Sequence, residues 1–213
     1  MYSAVFFDFD GVILDSVEIK SKAFATLFSC YGTEIQSAAV AYHESKGGLS
    51  RFEKFAYCYQ NLLKQPLTDE KSRELGECFE KEVLQGVLEA NFMPGAFKCL
   101  KALKAVAMPT FVVSGTPHDE VNYIVNQREI RSYFLEVHGS PRSKVDIIED
   151  ILYRYKLEPN CCLFVGDAIT DYEAASSLAL NFLGVVGEGN ASPFPIDVPI
   201  CSALSAARIH DSV

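Results

Sequence analysis

The sequence predicts an α/β protein, a doubly wound parallel sheet with a small all-helical unit inserted after its first strand. Three observations lead there. Short, continuously apolar runs recur along the chain, as expected of central strands covered on both faces. Segments with helical spacing of apolar residues alternate with the later runs. One long stretch, residues 16–91, carries helical stripes and no strand run.

The first strand is Ser3-Ala4-Val5-Phe6-Phe7-Asp8, an apolar run closed by a carboxylate. Later runs are Pro109 to Ser114, Cys161 to Asp167 and Asn181 to Val186, with a shorter candidate from Tyr133 to His138. Helical periodicity is expected over 95–107, 118–129, 143–155 and 170–180. Within 16–91, the stripe of Val17, Ala23, Phe24, Leu27 and Phe28 predicts a helix. The aromatic-rich segment 51–63 predicts another, with its rings in the core of the helical unit. Thr68-Asp69-Glu70-Lys71 reads as a cap followed by acids in a first turn. Phe92-Met93-Pro94-Gly95 is a break where the chain re-enters the sheet. The expected division is therefore 1–15 and 92–213 as the α/β core, with 16–91 as a helical cap.

Composition narrows the function classes. With 213 residues, 49% hydrophobic and 22% charged, the chain can bury a core. No apolar run approaches the roughly 20 residues needed to span a bilayer, and the first residues carry no basic n-region of a secretory signal. Seven cysteines without zinc-type spacing predict reduced structural thiols and a cytoplasmic setting. The net charge of -9, with no Lys/Arg cluster, disfavours nucleic acid as a partner, and the lack of a spanning run predicts no membrane partner. A monomer or homodimer is expected.

The chemistry sits at strand ends. Asp8 and Asp10 end the first run, followed by Gly11; Ser114 and Gly115 end the second. Lys144 opens a helix after Ser140-Pro141-Arg142-Ser143, and Asp167 ends a later run within Val165-Gly166-Asp167-Ala168-Ile169-Thr170-Asp171. In an open parallel sheet, ligands bind outside the carboxyl ends of the strands, so these residues should share one crevice. Asp8, Asp10 and Asp167 would repel one another there unless a cation neutralised them. All-oxygen ligation suits a hard ion such as Mg2+. A metal, a lysine and a hydroxyl together suit a phosphoryl group. One carboxylate can attack phosphorus, while another, two residues on, moves protons.

Phe7-Asp8-Phe9-Asp10-Gly11-Val12-Ile13-Leu14-Asp15-Ser16 closely resembles the first motif of the haloacid dehalogenase superfamily. Val112-Val113-Ser114-Gly115-Thr116 resembles the second, Lys144 matches the third, and Gly166-Asp167-Ala168-Ile169-Thr170-Asp171 matches the fourth. Their order and spacing agree over residues 5–171. The resemblance implies that Asp8 is the nucleophile and a metal ligand. Asp10 would be the general acid/base, with its main-chain carbonyl on the metal. Asp167 would be a further ligand, and Asp171 would reach the metal through water or support Lys144. Ser114 and the Gly115 amide would hold a phosphate oxygen. The core with a small cap is similar to the phosphoglycolate phosphatase and β-phosphoglucomutase branch. A carboxylate at Asp10 favours phosphoryl transfer over carbon–halogen cleavage.

The loop His43-Glu44-Ser45-Lys46-Gly47-Gly48-Leu49-Ser50-Arg51 is the candidate substrate reader. Its glycines let backbone approach a ligand, and Lys46 and Arg51 could grip a second anion. The alternative is a solvated helix connection. His43 reads as structural, and Glu18 and Lys20 could be exposed or near substrate. A cap lysine serving a Schiff base would need an apolar pocket, which the surroundings of Lys20, Lys22 and Lys46 do not suggest. The expected function is a Mg-dependent phosphatase acting on a small phosphorylated metabolite through an aspartyl-phosphate. The alternatives are a phosphosugar mutase and a non-catalytic phosphate-binding protein.

Overall fold

The computed structural model of the protein describes residues 2–211. Strands β1 (Ala4–Phe7), β2 (Thr110–Pro117), β3 (Glu136–Ser140), β4 (Cys162–Gly166), β5 (Asn181–Val185) and β6 (Ile200–Cys201) form one sheet in the order β3-β2-β1-β4-β5-β6. Every pairing is parallel, with β1 in the middle: Phe6 is in register with Phe111 on one side and Phe164 on the other. A central strand must be covered on both faces, which is why β1 is apolar at every position and fully buried.

Alternate residues of β1 serve two cores. Ala4 and Phe6 join Phe111, Val113, Phe164 and the Ile147, Ile148 and Ile151 stripe of helix α7 (Lys144–Tyr155). Val5 and Phe7 face the other way, with Val112, Leu163 and Val165. That second core includes helices α5 (Ala96–Ala105) and α6 (His118–Gln127), and it runs on into the helical insert. Each fully buried Phe is worth about 1.5–3 kcal/mol by burial alone. Helices α8 (Ile169–Ser177) and α9 (Ala206–Asp211) complete the sheet layer.

Between β1 and α5 the chain is helical. It forms α1 (Val17–Phe28), α2 (Thr33–Ser45), α3 (Arg51–Tyr57) continuing into a π-helical turn (Cys58–Leu63), and α4 (Asp69–Glu89). Phe24, Phe55 and Phe79 meet edge-on or tilted at centroid distances of 5.4–6.2 Å and hold α1, α3 and α4 together. Thr68 caps α4 by accepting from the Lys71 amide, and Ser50 caps α3 in a capping box with Glu53. The two connections to the sheet run side by side: Asp15 donates to the Asn91 carbonyl and Met93 to the Ile13 carbonyl.

Several details depart from the sequence expectation. Arg131–Tyr133 is a 3-10 turn, so β3 starts three residues later than Tyr133. The two-residue β6 is too short to give a periodic signal. Cys161 is exposed in a turn, and only Cys162 lies in the buried strand. Helices α5, α6 and α8 end earlier than expected, with Ala107, Glu129 and Ala179 in the left-handed region. That conformation normally belongs to glycine at a helix end, so nothing in the sequence flagged these stops. None of the described helices is long and apolar enough to cross a membrane.

Candidate active site

The site forms where β1, β2 and β4 end beneath the loops of the insert. It encloses a cavity of about 230 Å³, lined on the sheet side by Asp8, Asp10, Gly115, Thr116 and Asp167. The opposite wall carries Lys20, His43, Gly47, Gly48, Arg51 and Lys54.

Asp8 leaves β1 as a buried side chain whose amide donates to the Val165 carbonyl. Lys144, at the start of α7, donates to Asp8 at 2.9 Å and to Asp171 at 2.5 Å. Ser143 caps α7 through the Asp146 amide, which fixes where Lys144 enters the site. Asp171 is fully buried and also accepts from the Ala168 amide, which anchors the first turn of α8. Asp8, Asp167 and Asp171 each offer an oxygen within 4.8 Å of the others. Burial raises the Asp8 carboxyl, against the pull of Lys144, and Asp171 and Asp10 add to the rise. Asp167 is also raised, first by burial and then by Asp8 and Asp171. Burial opposes the Lys144 charge, but Asp171 and Asp8 raise it further than burial lowers it. A hard divalent cation fits this donor set. It would take oxygen ligands and relieve the repulsion that Lys144 only partly offsets.

Asp10 stands apart from that cluster. Its carboxylate accepts from Lys20 at 2.5 Å, from Thr116 at 2.8 Å and from Ser16 at 2.6 Å. Burial would raise it, but Lys20 and these hydrogen bonds outweigh burial and hold it at about 2. Ser16 precedes α1, and its hydroxyl is spent on Asp10 rather than on capping; Asp15 is exposed and caps nothing.

Two of the site's glycines show why a side chain would not fit there. Gly11 has φ +74, and a Cβ there would collide with an Asp167 carboxylate oxygen. A Cβ on Gly115 would collide with the Gly48 carbonyl, so strand end and insert loop touch backbone to backbone. Thr170 also donates to the Gly47 carbonyl. The loop therefore seals directly onto the sheet side.

The match to known proteins covers the same residues. A model of haloacid dehalogenase-like hydrolases matches residues 2–178. The chain belongs to the haloacid dehalogenase-like hydrolase family. A phosphoglycolate phosphatase of Vibrio vulnificus is 26% identical over 97% of this chain and 94% of its own length. Two solved structures share the fold of this hydrolase at 20% identity. One is a predicted phosphoglycolate phosphatase from Haemophilus somnus, with TM-score 0.73 over 99% of this chain and 97% of that one. The other is a β-phosphoglucomutase from Clostridium difficile, with TM-score 0.71 over 89% and 87%.

Of the residues singled out in the sequence, Asp8, Asp10, Lys144, Asp167 and Asp171 come together in this hydrolase. Ser114 is buried behind Gly115 and Thr116; its hydroxyl accepts from the Thr116 amide at 3.1 Å. Lys46 is exposed and lies outside the cavity lining. Arg51 lines the cavity but is buried in an ion pair with Glu120 of α6 at 2.6 Å, over the Phe79 ring. Glu18 is exposed and pairs with Lys22. Sequence reasoning gave Thr116, Ser16 and Lys54 no role in the site and left Lys20 open. Only the spacing of Ser16 and Lys20, one helical turn apart, could have placed both on the Asp10 side.

Proposed function

We propose that this hydrolase is a magnesium-dependent phosphatase of small phosphomonoesters, acting through an aspartyl-phosphate on Asp8. The observation that carries this reading is the separation of two kinds of carboxylate. Asp8 shares an oxygen cluster with Asp167, Asp171 and the Lys144 ammonium. Asp10 is turned away onto Lys20 and Thr116.

In this reading Asp8, Asp167 and Asp171 would hold Mg2+, which would supply positive charge to the phosphoryl oxygens. Lys144 adds a second cation and steers the Asp8 carboxylate. An Asp8 oxygen attacks phosphorus and the ester P–O bond breaks. The leaving oxygen takes a proton from the Asp10–Lys20 pair, in which Lys20 carries it and Asp10, held at about 2, is the carboxylate; the proton that Asp10 next draws from water restores the pair. Asp10, as carboxylate, then accepts a proton from water; the water oxygen attacks phosphorus, and inorganic phosphate leaves Asp8. The Gly115 amide is available to a phosphate oxygen, and Ser114 supports that turn from behind.

Residues 16–91 serve as a cap over a core of 1–15 and 92–213 in this proposal, with the paired links near Leu14 and Phe92 as its hinge. Closure of the cap would exclude bulk water. The name of the Vibrio vulnificus relative makes phosphoglycolate the first compound to try.

The test is phosphate release from a panel of phosphomonoesters with Mg2+ and with chelator. Release that needs Mg2+ is expected. Isomerisation of β-glucose 1-phosphate without phosphate release would favour a mutase, and no turnover of any compound would contradict the proposal.

A further inference from the structure

The cavity wall contributed by the insert holds three cationic side chains, Lys20, Arg51 and Lys54. Two are already neutralised. Lys20 pairs with Asp10, and Arg51 pairs with Glu120. Lys54 has no such partner. Its side chain, on α3, is buried, and among the described residues its ammonium hydrogen-bonds only the His43 carbonyl at 3.2 Å and the His43 Nδ1 at 3.3 Å. Among the described residues no carboxylate lies within ion-pair distance of it.

A buried ammonium without a counter-ion is costly, because its desolvation is not offset by an opposite charge. Burial, then the Lys20 charge, lower it to about 8, so it still carries its proton at neutral pH. His43 does not supply a counter-ion. Its ring lies against Phe24 at a centroid distance of 4.2 Å, and burial, then the Lys54 charge, keep it neutral. An ammonium has three donors, and two contacts leave one without an acceptor. Lys54 lines the same cavity as Asp8.

We propose that Lys54 recognises a second anionic group of the substrate, a carboxylate or a second phosphate, carried on the part remote from the phosphoryl group that Asp8 attacks. This rests on the reading of the site as a phosphatase. It moves substrate selection from Lys46 and Arg51, the sequence candidates, to a residue one turn along α3.

Titration calorimetry of the full chain with phosphonoacetate and with methylphosphonate, in Mg2+, tests the proposal without turnover. Phosphonoacetate carries a second anion and methylphosphonate does not. The wild type should bind phosphonoacetate at least about tenfold more tightly, the size of one charge-assisted hydrogen bond. Lys54→Met should bring the two affinities within about threefold and leave methylphosphonate unchanged. Lys54→Arg should keep part of the preference. A wild type that binds both compounds equally overturns the proposal, whether or not the variants fold. A folded Lys54→Met protein that keeps the preference overturns it too. Binding of both compounds without phosphate release from any ester would instead be a failure of the phosphatase reading. Binding of neither would remove the anion site on which both readings rest.

Discussion

The sheet side of the cavity carries Asp8, Asp10 and Asp167, whereas the insert side carries Lys20, His43, Arg51 and Lys54. The two walls differ in how they are built as well as in charge. On the sheet side each functional group sits at the end of a strand or in the turn after it, so a shared sheet register brings them together. On the insert side the groups come from α1, α2 and α3, and they meet because Phe24, Phe55 and Phe79 set how those helices pack. In the proposed mechanism the sheet wall supplies the nucleophile and the metal ligands. The helical wall provides charge whose placement depends on packing, and only Lys20 of that wall reaches a group of the proposed chemistry, Asp10.

The sharpest way to break that division is Asp8→Asn. It should lower kcat by at least about 10³-fold, the scale of losing an attacking group, while circular dichroism remains native. Near-normal turnover from the folded variant would mean that the sheet wall does not hold the nucleophile.

Next comes the contact that ties the walls together. Arg51 and Glu120 are both buried, and the second Glu120 carboxylate oxygen has no hydrogen-bond partner. Arg51→Met would leave that charge uncompensated and cost about 3–5 kcal/mol, or several degrees in Tm. Adding Glu120→Gln should recover much of the loss, and a melting curve of the double variant checks this. No recovery would mean that Arg51 stabilises through packing on Phe79 instead.

Lys20 probes whether the helical wall reaches into the chemistry. Lys20→Met removes the cation at 2.5 Å from Asp10. It should lower kcat about tenfold to a hundredfold, the range of a general acid–base contribution, and should also lower Tm, because Asp10 loses the cation that offsets its burial. An effect confined to KM would place Lys20 on the binding side of the comparison.

The smallest effect concerns His43. Burial, with Lys54 and Lys20 nearby, lowers its folded pKa from 6.5 to about 3. Below pH 6.5 the unfolded chain takes up a proton there that the folded chain refuses, so stability falls as pH falls from about 6.5 towards 3. The slope from this one group is at most about 1.4 kcal/mol per pH unit. Melting curves at pH 6.5 and 4.5 should differ less for His43→Gln than for the wild type.

The same contrast between walls explains what could be read from the sequence. The Ala4–Phe7 run, the carboxylates Asp8, Asp10 and Asp167, and Lys144 at a helix start are features of short segments, legible one at a time. Gly11 was visible as a glycine, though its reason, the approach of Asp167, is a contact across the sheet. Lys20 meets Thr116 across 96 residues and Arg51 meets Glu120 across 69, while Lys54 meets His43 only 11 residues away but on a different helix. No periodicity encodes which partner a helical side chain will meet. Lys46 shows the reverse case: a cation beside two glycines suits either a ligand contact or a solvated connection, and here Gly47 and Gly48 line the cavity while the lysine is exposed outside it. The helix ends at Ala107, Glu129 and Ala179 were hidden because residues without glycine's freedom adopt glycine's conformation there.

The most direct test of the account is mass spectrometry of protein quenched in acid during turnover of a phosphomonoester with Mg2+. The account predicts a phosphoryl group on the peptide containing Asp8 and none in Asp8→Asn. Phosphorylation at another residue, or undiminished phosphate release by the folded Asp8→Asn protein, would contradict it.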